Sequence, residues 1–170
     1  SIAGNGYLQG TSDTVGTNVF SISAWVKTPD VADRKTIFAC EDAPWNSGYN
    51  FAIDSVGQVY LAVFTSGAGD NITTNSQNWD DDTWHHVVVT HNGGGSGSAI
   101  NFYVDGSLQG KTGSMSKTPI SNVGGTFRIG NWTLTTDYGL NGEVDEMGVW
   151  STVLTATDVS TLYNFGAGLA

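Results

Sequence analysis

The segment at residues 20–27, Phe-Ser-Ile-Ser-Ala-Trp-Val-Lys, decides the fold class of this chain. Its apolar residues at positions 20, 22, 24 and 26 share one face of an extended backbone, and the serines at 21 and 23 lie on the other face. A period of two predicts a β-strand with one buried face. Short runs of the same kind recur along the chain, at 36–40, 49–53, 59–64, 84–90, 100–104, 127–129 and 144–150.

The connections between these runs predict antiparallel neighbours and one closing helix. Asp105-Gly106 stands between two runs and matches a two-residue hairpin with a type I′ turn. Near the end of the chain, Thr155 and Asp158 form a capping-box pattern, and Gly166 is suited to end the helix. We therefore predict an all-β, two-sheet antiparallel sandwich with one short C-terminal helix, in a single domain over residues 1–170.

Composition excludes several classes of partner. The 170 residues carry 6 Lys+Arg against 16 Asp+Glu, a formal net charge of −10, so clustered cations for nucleic acid or anionic membranes are lacking. No run approaches the ~20 apolar residues of a membrane span, so we expect no membrane insertion. The single cysteine, Cys40, lies in an apolar run and is expected to be buried.

Three segments in this order resemble a known family. They are residues 20–27, residues 84–90 with 102–106, and residues 129–163. Together they resemble the laminin G-like and pentraxin-like branch of the concanavalin A-like lectin/glucanase superfamily. The resemblance implies a jelly roll of two curved sheets. It also implies binding of glycans or adhesion, often with calcium, within larger extracellular or virion proteins.

Catalytic patterns are incomplete. Glu143 and Asp145 alternate onto one face of a predicted strand, as the catalytic acids do in the glucanase branch, but Met147 and Gly148 stand where a further Glu is needed. Glu146 is expected on the opposite face. His85 and His86 also point to opposite faces and cannot chelate one ion. We predict that the chain is not an enzyme, with glycoside hydrolysis as a less favoured alternative.

The sequence is compatible both with calcium binding and with its absence. Asp outnumbers Glu by 13 to 3, and Asp-rich loops offer the oxygen ligands that Ca²⁺ takes in sets of six to eight. Asp145 is the candidate ligand. The resemblance would place a pentraxin-type calcium site after Gly130, but Asn131, Trp132 and Thr133 follow instead of an acidic segment. Asp-rich turns without metal are the alternative interpretation.

Aromatic residues in two loops suggest a sugar site. Sugars present apolar C–H faces ringed by hydroxyls, so a site needs rings beside amides and carboxylates. The resemblance implies that the two loops meet on one side of the sandwich. The candidate residues are Asp42, Trp45, Asn46, Tyr49, Asn131, Trp132, Asp137 and Tyr138. Alternatively, these tryptophans close the open ends of the sandwich. Trp25, Trp84 and Trp150 are expected in the core or between the sheets.

These observations favour a non-catalytic carbohydrate-binding or adhesion module of an extracellular, cell-surface or virion protein. Its partners would be glycans or glycoconjugates. The main alternative is a structural or decoration domain that contacts other protein chains of an assembly.

Overall fold

The computed structural model describes residues 6–11, 18–29, 33–42, 47–76, 78–118, 126–132 and 138–167. Within these residues the elements are β1 Leu8–Thr11, β2 Val19–Lys27, β3 Lys35–Asp42, β4 Ser47–Ile53, β5 Val59–Thr65, β6 Ala68–Thr74, β7 His85–Asn92, β8 Ile100–Val104, β9 Ser107–Leu108, β10 Lys111–Ser114, β11 Thr126–Ile129, β12 Glu143–Trp150 and α1 Ala156–Tyr163. Single 3-10 turns lie at Gly97–Ala99 and Asn164–Gly166.

The strands form two antiparallel sheets. The seven-stranded sheet has the order β1-β11-β3-β4-β5-β6-β10, and the five-stranded sheet has the order β12-β2-β7-β8-β9. The predicted hairpin after β8 is confirmed, because Asp105 and Gly106 both adopt the left-handed conformation of a type I′ turn, with φ of 49° and 75°. The predicted all-β sandwich with one short helix is confirmed.

The core lies between the sheets and is built from alternate residues of the strands. Phe20 and Ile22 of β2 face Phe38 and Tyr49 of the seven-stranded sheet, and Cys40 is fully buried beside them, as predicted. The Tyr49 ring is 1% exposed and stacks on Phe20 with centroids 4.4 Å apart. Our placement of Tyr49 in a surface loop is therefore wrong. It belongs to β4, and its side chain faces the core.

The helix covers the outer face of the five-stranded sheet. Thr155 and Asp158 make the predicted capping box, and Val159 packs with Val88, Tyr103 and other apolar side chains against that sheet. Helix α1 ends at Tyr163, where Asn164 adopts the left-handed conformation, three residues before the predicted end at Gly166. No helix in the described part of the chain has the length and apolar character needed to cross a bilayer.

Trp25 is buried and Trp150 is partly buried, but neither lies between the sheets. Trp25 is 8% exposed and stacks on Tyr163, so it lies on the outer face of the five-stranded sheet, and Trp150 packs beside α1 on the same face. Trp84 is 41% exposed, so our prediction of a core position is wrong. Strand β7 begins at His85. Trp84 therefore lies just before the strand, and the alternation of buried and exposed residues in β7 does not apply to it.

Strand β12 contains an irregularity that alternation does not predict. Its pairing with β2 shifts register between Asp145 and Gly148, and Glu146 has a φ of 47°. A bulge of this kind re-aims the side chains around it. The expectation that Glu146 faces away from Asp145 is wrong for this reason, because both residues line one pocket.

Candidate functional site

The outer face of the seven-stranded sheet carries a second layer of buried side chains. The residues of β3, β4 and β5 that point away from the core are small at the centre of the sheet: Ala39, Ala52 and Ala62. These alanines leave room for large rings. Tyr60, Phe64, Trp132 and Tyr138 occupy that room. We call the seven residues, with the Asn50 and Arg34 side chains described below, the aromatic face.

The loop after β11 is held on this face by main-chain hydrogen bonds. Gly130 donates its N–H to the Ile37 carbonyl at 2.9 Å, and Thr36 donates to the Tyr138 carbonyl at 3.0 Å. The register of β3 against β4 shifts between Thr36 and Phe38, where these bonds form. The loop therefore joins β3 at an irregularity of the strand, which places Trp132 and Tyr138 over the alanines.

The rings of the aromatic face contact one another. Trp132 stacks on Phe64 with centroids 6.2 Å apart, and it lies 5.2 Å from the Tyr138 ring. Trp132 is 4% exposed, and Tyr138 is half-buried. Trp132 is thus a packed part of the face and not an open platform, as the loop position had suggested.

Both arginines of the sequence lie on this face. The Arg34 guanidinium is 4.0 Å from the Tyr60 centroid and 5.4 Å from the Tyr138 centroid. Arg128 donates to the Trp132 carbonyl at 2.9 Å and lies 4.3 Å from the centroid of Tyr7. Cation–π contacts hold guanidinium groups in place while leaving N–H donors for other partners. In a chain of net charge −10, this is a local concentration of positive charge.

Three buried polar atoms around the face have no hydrogen-bond partner within the part of the chain that the structure describes. They are Asn50 Oδ1, Arg34 Nε and Asn131 Nδ2. Asn50 is fully buried, and its Nδ2 donates to Thr36 Oγ1 at 3.2 Å, which leaves the carbonyl oxygen unmatched. Each unsatisfied buried group costs ~1–3 kcal/mol. Such groups are uncommon in native structures and mark places where water or a ligand belongs.

Burial also fixes the ionisation of the ring hydroxyl next to Arg34. Desolvation raises the pKa of Tyr60, against the opposing effect of the Arg34 charge. The phenol therefore stays neutral at physiological pH and keeps its O–H donor. The face accordingly combines neutral ring surfaces with a fixed cation and amide groups.

The structure brings together part of the predicted sugar site. Trp132, Asn131 and Tyr138 lie on or beside the aromatic face, whereas Tyr49 faces the core between the sheets. The predicted residues Trp45, Asn46 and Asp137, and the side chain of Asp42, lie outside the described part of the chain. Sugar contact by these residues stays a prediction.

Besides the three alanines, sequence reasoning missed four members of the face: Arg34, Asn50, Tyr60 and Phe64. A signal was present, because β5 is apolar at every position from Val59 to Phe64. A strand that is apolar on both faces is covered on both faces. That pattern indicated a second buried layer, although not the identity of its members.

His85 and His86, which are expected on opposite faces of their strand, make separate contacts. His85 donates from Nδ1 to Asp105 at 2.8 Å, and this hydrogen bond raises the pKa of His85 against the opposing effect of burial. His86 shares a hydrogen bond of 2.8 Å with Ser23, and burial lowers its pKa. Burial likewise lowers the pKa of His91.

Asp145 lies on β12, where its Oδ1 accepts the main-chain N–H of Glu146 at 2.8 Å. Within the residues that the structure describes, no three or more His, Cys, Asp or Glu side chains gather into a metal-binding group. The two neighbouring carboxylates do not by themselves fit Ca²⁺, which takes six to eight oxygens. The part played by Asp145 in metal binding stays a prediction.

Comparisons with known proteins agree on the fold. Domain 4 of the extracellular arabinanase AbnA from Geobacillus stearothermophilus, solved with arabinotriose, superposes with a TM-score of 0.73 at 20% identity over 94% of this chain and 74% of that one. The heptameric SAP-like pentraxin from Limulus polyphemus gives 0.68 at 20% identity over 92% and 75%. The CBM40 domain of the Ruminococcus gnavus IT-sialidase, bound to α2,3 sialyllactose, gives 0.66 at 12% identity over 92% and 97%.

Sequence comparison identifies the family. A search of curated protein sequences found no match. A laminin G family model, described as the Concanavalin A-like lectin/glucanases superfamily, matches residues 3–160. The match covers most of the chain and agrees with the resemblance seen in its strand segments. The chain belongs to the concanavalin A-like lectin/glucanases superfamily.

Proposed function

We propose that the chain is a non-catalytic carbohydrate-binding module that holds a glycan on the aromatic face. The observation that carries this proposal is a set of three buried polar atoms that have no partner among the described residues, beside a stack of aromatic rings. They are Asn50 Oδ1, Arg34 Nε and Asn131 Nδ2. Buried polar groups in a purely structural layer normally have hydrogen-bond partners. Amides and arginine held among rings have the chemistry that binds sugars.

A glycan would bind both the polar groups and the aromatic rings of the face. Its hydroxyl groups donate and accept hydrogen bonds, so one hydroxyl can donate to Asn50 Oδ1 and another can accept from the Arg34 guanidinium. Its C–H faces can pack on the rings of Tyr138 and Tyr60. An acidic sugar would gain a charge-assisted hydrogen bond from the arginines.

Similar folds support this class of ligand. Domain 4 of the arabinanase is described in complex with arabinotriose, and the CBM40 domain is described as bound to α2,3 sialyllactose. Fold likeness alone does not transfer a ligand, so the argument rests on the side chains of the aromatic face. The arabinanase is an extracellular enzyme, which supports our proposal that this module acts outside the cell, on a cell surface or on a virion.

The proposal that the module is not an enzyme rests on β12. Retaining and inverting glycosidases need two carboxyl groups placed on either side of the scissile bond. Glu143 and Asp145 follow the start of the glucanase pattern, but Met147 and Gly148 stand at the positions of its last acid. The chain thus lacks the general acid that hydrolysis requires at that place.

Calcium is proposed as an accessory ion on the superfamily resemblance, with Asp145 as its candidate ligand. The glycan binding that we propose for the aromatic face does not require a metal ion. A chelator experiment described below tests calcium separately.

A second candidate is a protein-contact domain of an assembly. The observation that favours it is Phe165, whose ring is 94% exposed beside α1. An exposed aromatic ring of this kind is suited to contact another chain. A single large interface in the native assembly and no affinity for sugars would favour this candidate.

The test is a glycan array followed by calorimetric titration of the best ligand. We expect Arg34→Gln to weaken binding by about tenfold, the equivalent of one lost charge-assisted hydrogen bond. Lys27→Gln removes the same charge from the end of β2 in the other sheet and should bind within about twofold of the parent.

Melting curves of both variants check that they are folded. Binding by Arg34→Gln at parental strength would contradict the placement of the site. The absence of binding to every glycan on the array would contradict the proposed function itself.

A further inference from the structure

The two arginines of the aromatic face have no carboxylate partner. Within the part of the chain that the structure describes, every ion pair belongs to Lys27 or His85. Neither Arg34 nor Arg128 pairs with a carboxylate of these residues, although the chain has 16 Asp and Glu against 6 Lys and Arg. Where acids are in such excess, two guanidinium groups without a counter-charge on one face indicate a place for an anion from outside the chain.

The Arg34 guanidinium is held in place while its hydrogen-bond donors stay free. It lies 4.0 Å from the centroid of Tyr60 and 5.4 Å from the centroid of Tyr138, so ring contacts position it. Its Nε–H is buried and has no acceptor among the described residues. The N–H groups of a guanidinium form a planar fork, which matches the two oxygens of a carboxylate. A neutral hydroxyl offers a single oxygen to the same fork.

Arg128 brings a second positive charge to the same stack of rings. Its Nε donates to Gln9 Oε1 at 2.9 Å and its Nη1 donates to the Trp132 carbonyl at 2.9 Å, so hydrogen bonds fix its position. The Trp132 ring lies 5.2 Å from the ring of Tyr138, which Arg34 contacts. The contacts therefore run from Arg34 over two rings to Arg128. An anion bound on this stack interacts with both charges.

Asp54 is a carboxylate near the face, but it does not neutralise Arg34. Burial is the main cause of the raised pKa of Tyr60, and the charge of Asp54 adds to it, so Asp54 lies near that ring. Its Oδ1 accepts the main-chain N–H groups of Val56 and Gln58 at 3.0 and 2.9 Å and closes the turn after β4. The Asp54 carboxylate is therefore held in its own turn and leaves the Arg34 fork open.

Asn50 places a second requirement on the ligand. It is fully buried, and its Oδ1 has no donor among the described residues. An amide oxygen only accepts hydrogen bonds, so the group that meets it must be a donor such as a sugar hydroxyl. Arg128 and Asn50 both pair in register with Ala39, from its two sides, so they lie on one row across β11, β3 and β4. A ligand along this row therefore needs both an oxyanion and a donor.

These requirements separate the candidate ligands. A neutral sugar would leave both guanidinium groups without a counter-charge. An inorganic anion such as sulfate has no donor for Asn50 Oδ1 and no apolar surface for the rings. A densely charged polyanion would be repelled by the rest of a chain of net charge −10. A sugar that carries one carboxylate has the oxyanion, the hydroxyl donors and a C–H face for the rings.

We propose that the aromatic face selects glycans with a carboxylate on a single sugar residue, a uronic or a sialic acid, and that Arg34 binds this carboxylate. Arg128 strengthens the binding through its charge, and a hydroxyl of the same glycan donates to Asn50 Oδ1. This inference rests on the proposed function, because it names the class of glycan that the same site takes.

Pairs of sugars that differ only in charge test this proposal on the unmodified protein. One pair is methyl glucuronoside and its methyl ester, and the other is sialyllactose and its methyl ester. The indole N–H signal of Trp132 in two-dimensional ¹H–¹⁵N NMR gives the dissociation constant of each sugar. We expect one acid, uronic or sialic, to bind about tenfold or more tightly than its ester. Added sodium chloride should reduce this difference, because salt screens the charges.

Three variants assign the preference to Arg34. Arg34→Gln should bind the acid and its ester about equally. Arg34→Lys keeps the charge but not the planar fork, so it should recover only part of the preference. Lys27→Gln removes one charge from the other sheet and should keep the full preference. If Arg34→Gln fails to fold in a melting experiment, Arg34→Lys and the sugar pairs on the parent still decide the question.

Two results would overturn this inference and leave the proposed function in place. They are equal binding of each acid and its ester to the parent, and an undiminished preference for the acid in Arg34→Gln. Binding of heparin without binding of either carboxylate sugar would assign the face to a sulfated polyanion and would also overturn the inference. If no sugar moves the Trp132 signal and the glycan array shows no ligand, the proposed function fails together with the inference.

Discussion

Replacing Trp132 with alanine measures how firmly the aromatic face is built. Trp132 is 4% exposed and packs over Ala39, Ala52 and Ala62, with its ring stacked on Phe64. Alanine at position 132 would leave a cavity, because the three alanines below it are too small to fill the space. Removing a buried tryptophan costs about 3–5 kcal/mol. For a chain of this size the melting temperature should fall by about 6–20 °C.

The assay is thermal and urea unfolding of three variants beside the parent. Trp132→Phe retains a ring and should lose on the order of 1–2 kcal/mol. Leu108→Ala, at a side chain that is 63% exposed, should stay within about 0.5 kcal/mol of the parent and serves as the control. The order Leu108→Ala, Trp132→Phe, Trp132→Ala is therefore expected for increasing loss of stability.

A loss below ~1 kcal/mol in Trp132→Ala would refute this reasoning, because it would mean that the indole does not pack on the sheet. The result also guides the interpretation of binding. If a variant loses several kcal/mol of its free energy of unfolding, a loss of glycan affinity in that variant reflects disruption of the whole aromatic face and not the loss of one contact. Arg34→Gln, at a half-buried residue, is the sharper probe of contact with the ligand.

Three further predictions concern pH, packing and calcium. The hydrogen bond to Asp105 raises the pKa of His85 above 6.5, so the stabilisation by His85 is complete below pH 6.5 and is lost as the pH rises through the raised pKa. Burial has the opposite effect on His86 and His91, because it lowers their pKa values. Their contribution to stability is therefore lost as the pH falls below 6.5. Calorimetry should therefore show the highest melting temperature near pH 6.5, and a steady rise from pH 8 to pH 5 would contradict this. Gly142→Ala should cost about 1–3 kcal/mol or more in urea unfolding, because a Cβ there overlaps the main-chain carbonyl of Lys27, and a neutral effect would be inconsistent with this packing. The calcium proposal predicts that the melting temperature in Ca²⁺ exceeds the melting temperature in EDTA by about 5–11 °C, when free Ca²⁺ is at a hundredfold excess over its dissociation constant. Equal melting temperatures would contradict the calcium proposal.

The sheet architecture could be predicted because alternation is a local signal. Residues 20–27 formed β2 with the predicted faces, and Thr155 and Asp158 capped the helix. Tyr49 was misplaced because Ser47 and Gly48 look like a turn, whereas they begin β4. Pairing with β3 and β5 decides that strand, and this pairing is a long-range property.

The aromatic face could be predicted only in part. Trp132 and Tyr138 were identified from their loop, but Arg34 lies far from Tyr60 and Tyr138 in sequence and meets them only in the folded chain. The burial of Trp132 depends on alanines from three different strands. No local pattern reports such a contact.

Glu146 and Trp84 were misplaced for a related reason. Glu146 was placed on the wrong face because alternation fails at the bulge of β12. Trp84 was taken as internal because it was assigned to the strand run 84–90, whereas β7 begins at His85. Both errors arise where a strand begins or shifts its register, because the regular alternation of faces does not hold there.

The most direct test of the central claim follows the side-chain N–H signals of Arg34 and Trp132 while the best array glycan is added to the parent. We predict that both signals move together, with the dissociation constant that calorimetry gives for the same glycan. Tight glycan binding that leaves both signals unmoved would contradict the claim that the aromatic face holds the sugar.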